Sequence, residues 1–253
     1  MINTRCPDKP ALILRDHVDT YRELYGNIHA FSNLFSGKGY KKIAIFSENR
    51  LEWIYAFFAA WQNGSIVVPI DFLSSADDAS YILNDCRPEL IFYSQGVHKT
   101  WDKMKGKLVY SPETIVFEDI KLDTVTPMIP WEIPFREDKT AVIIYTSGTT
   151  GSPKGVMLSF TNLIANIRAV TEDVKIFNAD RPVLMILPLH HIFPLAGSML
   201  APLASGGCIV MSPSLQSSDI IETIKKNPVR IMIGVPRFYE LLYRGLKAKI
   251  DAK

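Results

Sequence analysis

Cysteine is scarce in this chain, and neither sign of charge dominates it. Cys6, Cys86 and Cys208 are the three cysteines among 253 residues, and their spacing fits neither a metal site nor a redox motif. We therefore expect reduced thiols in a cytoplasmic protein. The formal net charge of +2 gives no basic surface for nucleic acid. The first ten residues, MINTRCPDKP, lack the apolar core that a secretory signal requires.

Charged side chains are also absent between Pro182 and Ser218. A run of that length is compatible with a membrane-spanning helix. However, three prolines would interrupt such a helix, and His190 and His191 would lie in hydrocarbon. We therefore predict a buried strand, a helix near residues 194–204 and a second buried strand.

Short apolar runs rich in β-branched residues alternate with helical patterns along the rest of the chain, of which 47% is hydrophobic. This alternation predicts an α/β fold with largely parallel, multi-stranded sheets flanked by helices on both faces. Residues 1–180 are expected to form a first α/β subdomain, and residues 181–253 the start of a second.

Several local signals predict single elements. Residues 50–64 read as a helix closed by a glycine, with aromatic side chains at the spacing of a core-facing stripe. Ser75 with Asp78 resembles a capping box that opens the next helix. The short run LVY at 108–110 predicts a strand, and residues 121–139, with three prolines, predict an ordered connector.

The most specific stretch is YTSGTTGSPKG, from Tyr145 to Gly155, which follows a strand-like apolar run. Glycines bring backbone N–H groups close to a ligand, and hydroxyl side chains extend the donor surface, so the stretch suits a polyphosphate. A polar surface turn is the alternative. The candidate phosphate-binding residues are Thr146, Ser147, Gly148, Thr149, Thr150, Gly151 and Lys154.

This stretch differs from the common nucleotide loop G-x-x-x-x-G-K-[ST], which runs straight into a helix. Here Pro153 and Lys154 are followed by GVMLS, which predicts a second strand. Lys154 is therefore expected on a hairpin and not at a helix N-terminus. This difference argues against a kinase or a GTPase.

The same stretch resembles the phosphate-binding signature of the adenylate-forming (AMP-binding) superfamily, which includes acyl-CoA synthetases, luciferases and peptide-synthetase adenylation domains. Further stretches resemble the family's motifs in the family's order. They are DTYREL (19–24), NGSIVVPID (63–71), LPLHHIF (187–193) and VRIMIGVPRFYELL (229–242). The last one is similar to long-chain fatty acyl-CoA synthetases. The chain thus resembles the N-terminal part of an acyl-CoA synthetase.

The resemblance implies a ligase that uses ATP to convert a carboxylic acid into an acyl-adenylate and then transfers the acyl group to CoA. It implies ATP, Mg²⁺ and CoA as cofactors or co-substrates. Lys154 and His191 would be the catalytic residues, His191 beside the substrate carboxylate, and Thr146 would contact Mg²⁺. His190 takes a position that is usually aromatic in the family. From the residues alone, packed side chains are the favoured interpretation of the two histidines, and no nearby Cys, Asp or Glu in the sequence completes a metal site.

The family's later motifs and its C-terminal lid domain are not found before Lys253. We therefore expect an N-terminal fragment that is inactive alone. The favoured substrate is a medium- or long-chain fatty acid, and peripheral membrane contact stays open because such acids partition into membranes. The alternatives are an aryl-acid or amino-acid adenylating domain, and a non-catalytic nucleotide-binding truncation.

Overall fold

The computed structural model describes residue 2 and residues 5–121, 138–147 and 152–251. The strands are β1 (Pro10–Leu14), β2 (His17–Thr20), β3 (Lys42–Phe46), β4 (Ile66–Ile70), β5 (Leu90–Tyr93), β6 (Glu113–Val116), β7 (Thr140–Ser147), β8 (Pro153–Ser159), β9 (Val183–Met185), β10 (Ile209–Met211) and β11 (Ile231–Met232). The helices are α1 (Tyr21–Asn33), α2 (Leu51–Gln62), α3 (Ala76–Cys86), α4 (His98–Met104), α5 (Phe160–Arg168), α6 (Ile192–Pro194), α7 (Ala201–Ala204), α8 (Ser217–Lys226) and α9 (Pro236–Asp251).

The chain forms two compact units. The six-stranded unit comprises residues 23–164 and 190–192, and the five-stranded unit comprises residues 1–22, 165–189 and 193–253. Each unit contains one sheet. Mixed helices and mostly parallel strands confirm the predicted α/β fold.

The six-stranded sheet has the order β6-β5-β3-β4-β7-β8. Neighbouring strands are parallel except β7 and β8, which form an antiparallel hairpin. The strands β3, β4 and β5 are almost entirely buried, as expected for parallel strands covered on both faces. The carboxyl ends of parallel β4 and β7 therefore lie side by side at one edge of this sheet.

The five-stranded sheet has the order β11-β9-β10-β1-β2. Strand β1 pairs in parallel with β10 and antiparallel with β2. The Tyr21 hydroxyl, just after β2, donates to the carbonyl oxygen of Gly207 at 2.7 Å. The observed division thus differs from the predicted boundary at residue 180, because the first 22 residues pair with strands from the other end of the chain.

Most local predictions are confirmed. Helix α2 ends at Gln62, and Gly64 has a φ of 76°, the left-handed conformation that glycine adopts without strain. The aromatic residues predicted to be core residues are all buried: Trp53, Tyr55, Phe57, Phe58 and Trp61. The run LVY is not a strand in the structure, and most of the predicted connector at 121–139 lies outside the described residues.

The uncharged segment after Pro182 also folds as predicted. It forms β9, a helical stretch from Ile192 to Ala204 with a π-helical middle at Leu195–Leu200, and β10. Among the helices that the structure describes, none is both long enough and apolar enough to cross a membrane.

Candidate active site

The predicted phosphate-binding stretch lies on the β7–β8 hairpin. Thr146 pairs directly with Lys154, and Ser147 with Pro153. The structure therefore confirms that Lys154 is on a strand of a hairpin and not at a helix N-terminus. Residues 148–151 and the side chain of Ser147 lie outside the described part of the chain.

The side chains of Thr146 and Lys154 are exposed. Among the described residues, no carboxylate pairs with Lys154. An ammonium group on a short antiparallel strand, with no internal counter-ion in the described part of the chain, is available to an anionic ligand. The position suits a phosphate held at the end of the hairpin.

Tyr145 and Gly155 form the pair next to Thr146 and Lys154 in the hairpin. Gly155 is not among the described glycines with positive φ, so the backbone conformation does not require a glycine there. A Cβ atom at position 155 would instead lie 3.0 Å from Ile143 Cγ2 and 3.1 Å from Tyr145 Cζ. Gly155 therefore allows close packing across the hairpin. Sequence reasoning had no signal for this contact.

The two histidines lie in the six-stranded unit, beside the residue that follows β4. Their Nε2 atoms are 3.1 Å apart, and His190 Nε2 is 3.6 Å from Asp71 Oδ1. His190 is buried and His191 is exposed. Because Asp71 is at the carboxyl end of β4, the histidines share a sheet edge with the end of β7. Open α/β sheets bind ligands at this kind of edge.

Burial lowers the pKa of His190 to about 4, the Asp71 carboxylate opposes this effect, and His191 adds to it. His190 is therefore neutral at pH 7. A contact between two Nε2 atoms needs one donor and one acceptor, so the pair shares a single proton at this contact. This arrangement restricts the orientation of the exposed His191 ring.

The acidic neighbour Asp71 was not apparent from the sequence, because it lies far from the histidines along the chain. Its proximity does not create a metal centre: across residues 5–121, 138–147 and 152–251, no group of three potential ligands could hold a metal ion. The structure thus brings His191 and the strand ends flanking the phosphate stretch to one sheet edge. It leaves the roles predicted for them untested.

Two mostly parallel sheets flanked by helices, with a hairpin carrying the glycine-rich stretch, define the N-terminal domain type of adenylate-forming enzymes. The family model described as "AMP-binding enzyme" matches residues 2–253. The chain belongs to this family.

Curated relatives include several acid–CoA ligases. A mitochondrial malonate–CoA ligase of Homo sapiens is 26% identical, and the match covers 93% of this chain and 43% of the relative. A feruloyl-CoA synthase of Amycolatopsis is 25% identical (88% and 45% covered), and a sulfoacetate–CoA ligase of Cupriavidus necator is 30% identical (84% and 43% covered). The chain therefore spans less than half the length of these relatives.

Solved structures agree on the fold. The ATP-bound crystal structure of MatB from Rhodopseudomonas palustris matches with a TM-score of 0.81 at 22% identity, covering 95% of this chain and 49% of that one. The o-succinylbenzoate–CoA synthetase of Bacillus subtilis in complex with ATP and a magnesium ion matches with a TM-score of 0.79 at 23% identity, covering 94% and 63%. At these identities the similarity shows the fold alone.

Proposed function

We propose that the protein containing this chain activates a carboxylic acid with ATP, releases pyrophosphate and transfers the acyl group to CoA. The observation that carries the proposal is an exposed Lys154 with no carboxylate partner among the described residues. It lies on the hairpin that bears the phosphate stretch, in a member of the AMP-binding enzyme family. The relatives that match it are acid–CoA ligases and support the same reaction class.

The proposed reaction requires stabilisation of the negative charge on the leaving group, and it does not require a general base. A carboxylic acid is already ionised at neutral pH, so its oxygen can attack the α-phosphorus directly while the bond to pyrophosphate breaks. Negative charge then grows on the leaving group. Lys154 and the donors of residues 147–151 would stabilise that charge, as preorganised donors do in other enzymes. The Thr146 hydroxyl would help to hold Mg²⁺, which supplies further positive charge at the phosphates.

His191 is proposed to line the site of the acid. It is exposed at the sheet edge where β7 ends, and its contact with His190 restricts its orientation. An imidazole N–H in a restricted orientation can donate a hydrogen bond to a carboxylate and hold it towards the phosphates. Fixed orientation of this kind accelerates a displacement by lowering its entropic cost.

Substrate identity is a finer proposal with two candidates. The stretch at 229–242 supports a medium- or long-chain fatty acid. A second candidate is a short acid with another polar or anionic group. The adjacent imidazoles of His190 and His191 provide polar contacts at the proposed acid site, and relatives are named for malonate and sulfoacetate.

Acid-dependent pyrophosphate exchange in the complete protein would separate these candidates. Palmitate, malonate, sulfoacetate, ferulate and an amino-acid mixture would each be supplied with ATP·Mg, and the rate of label exchange into ATP would be measured. We expect one acid class to stimulate exchange at least tenfold over the others. Binding of ATP without stimulation by any acid would favour the non-catalytic nucleotide-binding alternative.

Replacing Lys154 by alanine in the complete protein tests the proposed phosphate contact. We expect a fall in exchange of roughly 100-fold or more, the usual cost of removing one preorganised donor. The melting temperature should change little, because Lys154 is exposed. Lys103→Ala on α4 removes another exposed lysine and is the matched control. Equal exchange rates in the two variants would contradict the assignment of Lys154.

A further inference from the structure

Tyr145 connects the β7–β8 hairpin to helix α3. Its half-buried ring packs against a core cluster that includes Leu83 and Cys86 of α3. Its hydroxyl donates a hydrogen bond to Asp85 Oδ2 at 2.5 Å. The Cys86 thiol is a second hydrogen-bonding neighbour of the hydroxyl. The last turn of α3 therefore holds the side chain at both its ring and its hydroxyl.

The opposite strand leaves room for this ring. Gly155 is the cross-strand partner of Tyr145, and a Cβ atom there would lie 3.1 Å from Tyr145 Cζ and 3.3 Å from its hydroxyl oxygen. A side chain at position 155 would therefore be in tight contact with the ring, which would have to shift by a few tenths of an ångström. Gly155 and Asp85 thus define the position of Tyr145 from two sides.

The hydrogen bond persists over the working pH range of an enzyme. Burial raises the pKa of Tyr145, and the hydrogen bond and negative charge of Asp85 raise it further. The phenol therefore stays protonated and remains the donor. A hydrogen bond to an ionised carboxylate is shorter and stronger than one between neutral groups, which fits the observed distance.

We infer that Tyr145 is a positioning residue for ATP binding, which acts by fixing the direction in which Lys154 leaves β8. Lys154 directly precedes Gly155, and its cross-strand partner Thr146 directly follows Tyr145. A hairpin anchored at this pair can rotate little about its own axis, so the ammonium group and the Thr146 hydroxyl keep their orientation. The inference rests on the proposed function, in which Lys154 contacts the phosphates.

The test compares Tyr145→Phe, Asp85→Ala and the double variant in the complete protein. Each single change should raise KM for ATP·Mg and the calorimetric Kd for ATP by about 10-fold to 100-fold, because small misplacements near a reacting group have effects of this size. KM for the acid should stay within about twofold. The double variant should be no worse than the single ones, since both remove the same bond.

Tyr81→Phe provides the matched control, because Tyr81 is an exposed tyrosine of α3 with no partner among the described residues. Asp85 is also exposed, so Asp85→Ala removes the acceptor of the bond with little effect on the melting temperature. That variant keeps the inference testable if Tyr145→Phe is poorly folded.

Unchanged ATP affinity in Asp85→Ala would overturn the inference, and so would a rise in KM for ATP and acid together with a lower melting temperature. The two proposals fail in different ways. If Lys154→Ala abolishes exchange while Tyr145→Phe and Asp85→Ala leave it intact, only the positioning role is wrong. If Lys154→Ala also leaves exchange unchanged, the proposed function itself fails.

Discussion

A single imidazole, His190, shows how the interior of the fold controls charge at the residue scale. Its ring is buried, so the charged form loses hydration, and the pKa falls to about 4. The neighbouring side chains have opposite effects on its pKa: Asp71 raises it and His191 lowers it. Because burial is the largest of these effects, His190 is neutral at pH 7.

This neutrality makes stability depend on pH. The pKa of His190 is near 6.5 in the unfolded chain and about 4 in the folded one, so between these values the unfolded state binds more protons. The contribution is fully favourable above pH 6.5 and decreases as pH falls towards 4. With one pKa unit worth about 1.4 kcal/mol, the loss is on the order of 3 kcal/mol.

His190→Phe should remove this pH dependence. We expect denaturant unfolding of the variant to show a flatter decline in the free energy of unfolding between pH 6.5 and 4 than the wild type shows. A slope that is the same in His190→Phe and in the wild type would contradict the role of burial.

The sequence predicts which residues belong to the candidate site better than it predicts which residues they contact. The local spacing of YTSGTTGSPKG indicated Lys154 on a hairpin, and the structure confirms that position. It gave no indication that Asp85, 60 positions earlier in the chain, accepts a hydrogen bond from Tyr145. Contacts of this kind depend on how helices pack on the sheet, which local spacing does not encode.

Helix α3 shows what can be predicted at the element scale. The Ser75 side chain accepts a hydrogen bond from the Asp78 backbone N–H at 3.1 Å, and its hydroxyl donates to Asp78 Oδ2 at 2.7 Å. The predicted N-cap at Ser75 is thus confirmed, while Asp78 accepts from the Ser75 hydroxyl and not, as in a full capping box, from its backbone N–H. Capping is predictable because its donors and acceptors lie within one turn of each other in the sequence.

Ser75→Ala should therefore destabilise the six-stranded unit. Loss of an N-cap side chain costs about 1 kcal/mol of unfolding free energy. Ser111→Ala replaces an exposed serine outside the helices and strands and serves as the control, for which we expect a change within error. Chemical denaturation of both variants gives the comparison, and equal stability would argue that the cap contributes nothing.

Other elements could not be predicted in this way. The segments Ala169–Asp173 and Leu195–Leu200 are π-helical, continuing α5 and joining α6 to α7. A π-turn differs from an α-turn by one hydrogen-bond step, and the apolar pattern is nearly the same for both. The run at 108–110 has strand composition, but it does not form a strand in the structure. In the π-helical segments and in the run at 108–110, contacts with the rest of the fold determine the structure, and the local sequence does not.

At the scale of the whole molecule, the fold class was predictable and the grouping of strands was not. Alternating apolar runs and helices are enough to indicate a parallel α/β architecture. The parallel pairing of Leu12 in β1 with Ile209 in β10 connects strands that are far apart in the sequence. No local feature of either strand predicts this pairing. The predicted boundary at residue 180 missed it for that reason.

Strand β1 lies between β10 and β2, so its two neighbours become available at different times during synthesis of the chain. Every strand of the six-stranded sheet has been synthesised once Ser159 has been added, whereas the inner edge of β1 has no partner strand until β10 has been completed at Met211. During that interval the apolar segment from Ala11 to Leu14 has only β2 beside it. Until Met211 has been synthesised, the nascent chain therefore carries an unpaired strand edge on this hairpin, and such an edge is a site for non-native pairing.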